Sequence, residues 1–204
     1  IDLTMFKTRA FLALAIGTFT VSMVGGGTGV FRTLFPPHSS EVAGLSEVQI
    51  GLLLAIAGGI ALVATMPAGI ITDRYGRKRT LLFGLFVAAL AVFIMTLGAT
   101  FTIAALAVVT FGLSEAFAWG TMHVYAMDLA PEDRRGSFLG VWGLFQNLGQ
   151  ITGPLLIGTI ADNLGFNLAF TAVSGMLIAG AIMVFFFGEE TKKRSMLITK
   201  HVPR

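Results

Sequence analysis

The stretch PAGIITDRYGRKR, residues 67–79, ends a long apolar segment with four basic residues among its last six positions. Gly69 lets a helix approach a neighbouring helix closely, because glycine has no side chain. Gly76 can adopt the left-handed conformation that ends a helix and reverses the chain. The cations around it would hold such a turn in the headgroup region of a membrane. We therefore expect a tight basic turn between two helices, although a plain hairpin does not account for the spacing Gly-x-x-x-Asp-Arg-x-Gly-Arg.

The composition of the chain places most of its surface in lipid. Of 204 residues, 55% are apolar and 12% are charged, and the mean hydropathy is +0.83. A soluble domain has about 25% charged residues, so this chain has too few charges to cover its surface in water. A membrane-spanning helix needs about 20 apolar residues, which leaves room for about six spans. The chain has no cysteine, so no disulfide framework is expected.

Six apolar segments fit that number. Each is long enough to cross the hydrocarbon core as a helix, and none alternates in polarity as a barrel strand does. Ser46 and Gln49 form a capping-box pattern just before the second segment. We predict an all-α membrane protein, a single domain over residues 1–204, with transmembrane helices at about residues 10–35, 47–72, 81–99, 102–127, 136–161 and 168–188.

The basic residues fall on one side of these six segments. Of the 14 basic residues, 13 would face the same side if six spans alternate, and Arg32 is the exception. Five or seven spans would scatter the cations over both sides. Because cytoplasmic loops carry an excess of lysine and arginine, we predict a protein of the inner or plasma membrane with both termini in the cytoplasm.

A short internal repeat relates the two halves of the chain. Residues 69–76 read GIITDRYG, and residues 158–165 read GTIADNLG. The first copy would end span 2 on the cytoplasmic side, and the second would end span 5 on the outer side. This arrangement predicts an inverted repeat of three helices plus three, as in many transporters. The match is short and rich in glycine, so chance similarity is the alternative.

The spacing in residues 69–79 resembles the signature loop of the major facilitator superfamily (MFS), between helices 2 and 3 or in its echo between helices 8 and 9. The resemblance implies a conformational-switch loop, in which Asp73 and Arg74 contact a helix of the other half of the transporter and release it during transport. The remaining positions would shape and anchor the turn. Every named position of the signature is filled, by Gly69, Asp73, Arg74, Gly76, Arg77, Lys78 and Arg79.

Further segments resemble the same family. Residues 130–136, APEDRRG, are similar to the loop between helices 4 and 5 or 10 and 11, and residues 190–192 to the tail after helix 6 or 12. Residues 149–158, GQITGPLLIG, are similar to the glycine–proline motif of helix 5 or its echo in helix 11. Thr159 replaces the second glycine of the usual pair, which disfavours an antiporter. The motif marks four helix-packing residues, namely Gly149, Gly153, Pro154 and Gly158.

The resemblance implies that this chain, which opens with Ile1, is one six-helix half of a 12-helix transporter. The intact signature loop favours the amino-terminal half. The absence of an arginine in span 4, the basic start of the chain and its short tail favour the carboxy-terminal half. Both assignments stay open at this point.

Glu115 is the first candidate for a functional residue, because it lies near the middle of span 4. A carboxylate at this depth costs about 2.5–3.5 kcal/mol, so it usually faces a cavity or a partner. Phe111 and Trp119 share its helix face at a spacing of four residues. An acid among aromatic rings suits a cationic or amphipathic substrate, or proton coupling. The alternative is a protonated glutamic acid hydrogen-bonded to a neighbouring helix.

Span 5 supplies three more candidates for substrate contact, namely Trp142, Gln146 and Gln150. The two amides lie one turn apart and can bind a polar substrate, or they can hydrogen-bond between helices. His123 is expected to be a packed or hydrogen-bonded residue of span 4. Arg32 is expected to snorkel to the outer interface rather than to act as a gate.

These features and the resemblance together predict secondary active transport of a small solute by alternating access, with drug or metabolite efflux as one form. The expected partners are membrane lipid, a small-molecule substrate, protons as a coupling ion and the other six-helix half. No metal, cofactor, nucleic acid or enzymatic activity is expected. The alternatives are a channel-like protein, a non-transporting scaffold and an intramembrane enzyme. The sequence has no His-x-x-x-His, Gly-x-Ser-x-Gly or paired Asn-Pro-Ala motif, which disfavours an enzyme and a water channel.

Overall fold

The computed structural model describes residues 9–25, 29–188 and 190, and these residues form helices joined by short turns. No β-strand occurs among them, which confirms the all-α prediction. A 3₁₀ turn, Met95–Leu97, extends α4, and another, Glu132–Arg134, precedes α7. A π-helical turn, Glu115–Trp119, joins α5 to α6. The helices are α1 (Arg9–Val24), α2 (Val30–Glu41), α3 (Glu47–Tyr75), α4 (Arg77–Ile94), α5 (Phe101–Ser114), α6 (Gly120–Leu129), α7 (Arg135–Leu164) and α8 (Phe166–Phe187).

Four helical rods of the described part are long and apolar enough to cross a membrane. They are Glu47–Tyr75, Arg77–Leu97, Phe101–Leu129 and Phe166–Phe187, and they match the second, third, fourth and sixth predicted spans. The predicted fifth span coincides with α7, which has 30 residues. The amide side chains of Gln146, Asn147 and Gln150 lower the hydropathy of α7. The count of six spans and the inverted repeat therefore remain predictions.

The span predicted at about residues 10–35 is divided in the structure. The structure has two helices there: α1 ends at Val24, and α2 begins at Val30 with Gly29 as its N-cap. Glycine in a helix interior costs about 1 kcal/mol relative to alanine, and Gly25, Gly26, Gly27 and Gly29 cluster at this point. Residues 26–28 lie outside the described residues, as do Lys7, Thr191 and Lys192. α2 continues to Glu41, past the predicted end of the span.

The helix ends follow the capping signals of the sequence. The backbone N–H of Ser46 donates to Gln49 Oε1 at 2.9 Å, and the N–H of Gln49 donates to the Ser46 hydroxyl, which confirms the capping box. Gly76 has φ 103° between α3 and α4, so it makes the predicted reversal. Gly165, its counterpart in the predicted repeat, has φ 88° between α7 and α8. A side chain at either glycine would be strained.

Small residues bring the helices of the bundle into backbone contact. A Cβ added to Gly149 would lie 2.6 Å from the Phe19 carbonyl oxygen, and one added to Gly153 would lie 2.7 Å from the Met23 carbonyl oxygen. α7 therefore packs directly on the backbone of α1. α4 approaches the π-helical turn in the same way at Gly84, beside Ala118. Close approach through glycine is how helices associate where lipid removes the hydrophobic driving force.

His38 is buried near the end of α2, with 4% of its surface exposed. Its ring lies edge-on to Phe166 at 5.3 Å and to Phe170 at 5.1 Å, and its Nδ1 has no hydrogen-bond partner. Burial lowers the pKa of His38 below its ordinary value of 6.5, because the imidazolium loses its hydration. Burial therefore favours the neutral imidazole at this end of the bundle.

Gly153→Ala is expected to destabilise the bundle by about 1–3 kcal/mol, because the new methyl group forces the α1 backbone away from α7. Gly158→Ala is the matched control on the same helix, since nothing lies within 4 Å of a Cβ at that position. The control should be neutral or stabilising by up to about 1 kcal/mol, through the higher helix propensity of alanine. Thermal unfolding in detergent measures the change in stability of both variants. Equal shifts in the two variants would contradict the proposed contact.

Acidification is expected to destabilise the protein through His38. The unfolded chain binds a proton on this imidazole at the ordinary pKa of 6.5, whereas the folded chain binds it only at a lower pH. Stability therefore falls as the pH drops below about 6.5 and stops falling at the lower, folded pKa. The midpoint of thermal unfolding, measured between pH 7.5 and pH 5, should fall further in the wild type than in His38→Gln. Parallel pH profiles would refute this role.

Candidate functional site

An ion pair joins α2 to the π-helical turn. Arg32 Nη2 lies 2.6 Å from Glu115 Oε2, with 31% of the arginine side chain and 16% of the glutamate side chain exposed. The expectation that Arg32 snorkels to the interface is wrong, because its guanidinium turns to this carboxylate. The Nε of Arg32 is buried without a hydrogen-bond partner. A carboxylate at this depth thus has a charged partner, which offsets much of the cost of burying it.

Aromatic rings support this ion pair. The ring of Phe111 stacks on Phe31, with centroids 3.9 Å apart and planes 9° apart. The Arg32 guanidinium carbon lies 5.8 Å from the centroid of Phe111, within the range of a cation–π contact. The predicted aromatic surroundings of Glu115 therefore exist at Phe111, and the guanidinium of Arg32 lies against them.

Both partners of the ion pair lie at interruptions of regular helix. Glu115 begins the π-helical turn, and Arg32 lies in the first turn of α2, just after the break between α1 and α2. A Cβ added to Gly25 would lie 3.2 Å from Glu115 Oε1, so this glycine gives the carboxylate room beside α1. π-helical turns occur frequently at functional sites. Discontinuous helices near the midplane form the binding sites of many transporters.

A small cavity lies beside Glu115, within the bundle. Its volume is about 10 Å³, about the space of one water molecule. α1, α4 and α8 all contribute to its wall, so the glutamate faces the interior of this bundle. A cavity of this size fits a water molecule or a proton, not a drug-sized solute. Its lining residues are Val21, Val24, Gly25, Ala88, Phe111, Ser114, Glu115, Ala118, Trp119 and Leu177.

A second polar cluster surrounds His123 on α6. Its Nδ1 lies 2.9 Å from the Trp119 carbonyl oxygen, and its Nε2 lies 3.4 Å from Gln146 Nε2. The ring of Trp142 lies edge-on to the imidazole at 5.0 Å. The Trp142 indole N–H donates to the Thr18 hydroxyl at 2.6 Å. α1, α6 and α7 thus meet around a hydrogen-bonded histidine.

The structure therefore brings together three of the predicted site residues, Trp119, Trp142 and Gln146. Gln150 lies one turn further along α7 and is half-buried. The sequence interpretation treated His123 as a packed or hydrogen-bonded residue, which is correct, but missed that it lies at the centre of this cluster. Trp119 links the cluster to the ion pair, since it also lines the cavity beside Glu115.

A charge network holds the turn between α3 and α4. Arg77 Nε lies 2.8 Å from Asp128 Oδ2, and Arg77 Nη1 lies 3.1 Å from Asp73 Oδ1. The backbone N–H of Arg77 donates to Glu190 Oε1 at 2.8 Å. The Arg77 side chain is 12% exposed, whereas Asp73 is 74% exposed. Arg77 thus ties the start of α4 to the end of α6 and to the residue beyond α8.

This network adds contacts within the chain to those expected of the signature loop. Within this chain its centre is Arg77, whereas the guanidinium of Arg74 lies over the ring of Tyr75 at 5.6 Å. Sequence reasoning missed Asp128 and Glu190. Asp128 could have been recognised from the sequence, because it is an acidic residue at the end of an apolar span, on the same side of the bundle as the basic turn. Asp73 keeps an exposed edge that a second half could contact.

The packing residues fall into two groups. Gly149 and Gly153 contact the α1 backbone, whereas no described neighbour lies within 4 Å of a Cβ at Gly69 or Gly158. Pro154 lies inside α7 and is half-buried. Gly69 instead lines a groove of about 170 Å³ between α3 and α6, together with Thr72 and Thr121, whose hydroxyls lie 3.1 Å apart. The close helix contact expected at Gly69 is therefore not formed within the described part of this chain.

Comparison with known proteins identifies a family and several relatives. The model of the Major Facilitator Superfamily matches residues 14–200. The class H tetracycline resistance protein of Pasteurella multocida is 28% identical over 181 residues, which cover 87% of this chain and 44% of that protein. Multidrug resistance protein 2 of Bacillus subtilis is 27% identical over 155 residues, which cover 76% of this chain and 38% of that protein. The quinolone resistance protein NorA of Staphylococcus aureus is 22% identical over 175 residues, which cover 86% of this chain and 45% of that protein. The chain spans less than half the length of these relatives.

The ion pair of Arg32 with Glu115 is expected to contribute a measurable coupling energy. A double-mutant cycle of Arg32→Gln and Glu115→Gln, followed by thermal or denaturant unfolding in detergent, isolates the pair. We expect a coupling of about 1–3 kcal/mol, because the two charges are in direct contact among apolar helices. Additive effects of the two substitutions would show that the two charges do not interact.

Proposed function

Because the chain belongs to the Major Facilitator Superfamily, whose members carry small solutes across membranes, we propose that it is one six-helix half of a secondary transporter that works by alternating access. Its family and its apolar helices make it a multi-pass membrane protein. The chain matches less than half of each relative, which supports a second half of similar size. The placement of the cations supports cytoplasmic termini in the plasma membrane.

We propose efflux of a drug-like or metabolite solute as the direction of transport. The names of three relatives support this proposal, since each is a resistance protein, to tetracycline, to several drugs or to quinolones. The aromatic and amide side chains around His123 offer a mixed surface for an amphipathic solute. The proposed solute contacts are made by Trp119, Trp142, Gln146 and Gln150.

The observation that carries the proposal is the ion pair of Arg32 and Glu115 at two helix interruptions. A proton added to the carboxylate of Glu115 removes its negative charge and thus breaks the ion pair. A guanidinium carries its charge at every physiological pH. The proton then changes the attraction between α2 and the π-helical turn, and this change couples protonation to helix movement. The small cavity beside Glu115 has room for the water that delivers the proton.

The signature loop is proposed to act as the conformational switch. The exposed carboxylate of Asp73 would contact a helix of the other half, with Arg74 beside it. Gly76 makes the turn, and Arg77 holds its base through Asp128. Lys78 and Arg79 anchor the turn in the headgroup region. Breaking the Asp73 contact would free one half to rotate against the other.

The second half is proposed to cover α3. Its large apolar side chains are exposed: Leu62 by 77%, Val63 by 75% and Met66 by 75%. The same rod contributes Gly69 and Thr72 to the groove that opens beside α6. Exposed apolar side chains alone are compatible with contact to lipid. The groove, however, is also lined by the hydroxyls of Thr72 and Thr121 and by the carboxylate of Asp73. These polar groups favour a protein helix over lipid as the neighbour of α3. A partner half in this place would complete the path for the solute.

Glu115→Gln is expected to reduce gradient-driven transport by about tenfold or more, which corresponds to at least about 1.4 kcal/mol of lost coupling. The full-length protein is reconstituted in liposomes with an imposed pH gradient, and tetracycline and a quinolone serve as the probes. Exchange of labelled for unlabelled probe without a gradient should persist, because it needs no proton. Glu47→Gln, which removes an exposed acid at the start of α3, is the matched control. Solute flux that does not saturate and does not depend on the gradient would instead identify a channel. The absence of any flux would identify a non-transporting scaffold.

A further inference from the structure

A cavity of about 470 Å³ opens at the basic turn, between the start of α4 and the end of α8. It lies apart from the ion pair and from the His123 cluster. Both cationic and apolar side chains line the cavity. Its lining residues are Arg74, Tyr75, Lys78, Arg79, Leu82, Phe185 and Glu190.

The charges around this cavity favour an anion. Three cations and one carboxylate line it, which leaves a net charge of +2 from these residues (three positive charges minus one). The carboxylate of Glu190 accepts a hydrogen bond from the backbone N–H of Arg77 at the first turn of α4, so its charge is directed to that helix end. Lys78 Nζ lies over the ring of Phe185, 5.5 Å from its centroid. Arg79 is exposed.

The apolar wall of the cavity continues along the membrane-spanning surface. Phe185, on the last turn of α8, is 58% exposed, and Phe86, one turn beyond Leu82 on α4, is 55% exposed. Both helices belong to rods that are long and apolar enough to span a membrane. The exposed surface thus changes from cations to aromatic and aliphatic carbon within about two helical turns, or about 11 Å. A water-soluble phosphate compound has no acyl chain to pack against these apolar side chains.

We propose that this cavity binds the headgroup of an anionic phospholipid, with its phosphate at Lys78, Arg79 and Arg74. The acyl chains would lie along Leu82, Phe86 and Phe185. Basic pockets between helices on the cytoplasmic side of a membrane are suited to anionic headgroups. The bound lipid would lie against the same turn that Arg77 ties to Asp128 and Glu190. The occupancy of this site would then depend on the lipid composition of the membrane.

The test compares lipid retention in two variants that lose the same charge. The full-length protein is purified from liposomes containing equal amounts of phosphatidylglycerol and phosphatidylcholine, and native mass spectrometry counts the bound lipids. In Lys78→Gln/Arg79→Gln the apparent affinity for phosphatidylglycerol should fall by about 25-fold, since each cation near a lipid surface contributes about fivefold. Arg134→Gln/Arg135→Gln, which removes two exposed cations where α7 begins, should retain the wild-type affinity. Equal losses in both variants would overturn the site, because they would show a diffuse attraction of the basic face.

Two further measurements separate a lipid from other occupants. Phe185→Ala should weaken retention of phosphatidylglycerol, whereas a soluble glycerol phosphate should fail to displace the lipid. If glycerol phosphate displaced phosphatidylglycerol at the concentration at which it binds the protein, the lipid assignment would be overturned in favour of a soluble phosphate compound. Lys78→Arg keeps the charge and should keep the lipid, which separates loss of charge from misfolding. Equal retention of phosphatidylcholine and phosphatidylglycerol by the wild type would overturn the preference for an anion.

Discussion

Charge that lies among apolar helices must be paired, and this requirement shapes both irregular regions of the chain. Glu115 lies where the rod of α5 and α6 widens into a π-helical turn, and Arg32 lies just after the break between α1 and α2. A regular helix at either place would present its side chains on a fixed spiral. The two interruptions instead bring a guanidinium and a carboxylate to 2.6 Å. The irregular backbone is tolerated because it faces protein rather than lipid.

Glycine makes this arrangement possible on the side of α1. Gly25 leaves room for the carboxylate of Glu115, while Gly149 and Gly153 let α7 press on the backbone of the same helix. α1 is thus held by α7 along its length and ends beside the charge. Close packing of α7 on α1 fixes the backbone on one side of the ion pair. At the basic turn the half-buried Arg77 is likewise held on both sides, by Asp73 and Asp128.

Much of the fold could be predicted from the sequence, because its signals are local. The capping box at Ser46, the reversal at Gly76 and four of the spans follow from neighbouring residues and appear in the structure. The division of the first span after Val24 is not visible in its apolarity, because an average over a whole span hides a few glycines. The site was predicted only in part: Glu115 and Trp119 stood out, but their partners lie far away in sequence. Arg32 is 83 residues from Glu115, and Asp128 is 51 residues from Arg77, so no spacing rule could pair them.

The two charge clusters belong to one rod, and this limits how they can move. Glu115 begins the π-helical turn, and Asp128 lies in the last turn of α6. Thirteen residues separate them, which is about 20 Å at the rise of an α-helix. The rod is continuous from Phe101 to Leu129, with the π-helical turn inside it. Arg32 binds this rod at Glu115, and Arg77 binds it at Asp128. The same helical rod therefore carries one partner of each charge cluster, so the two clusters are joined through continuous backbone rather than through a relay of side chains.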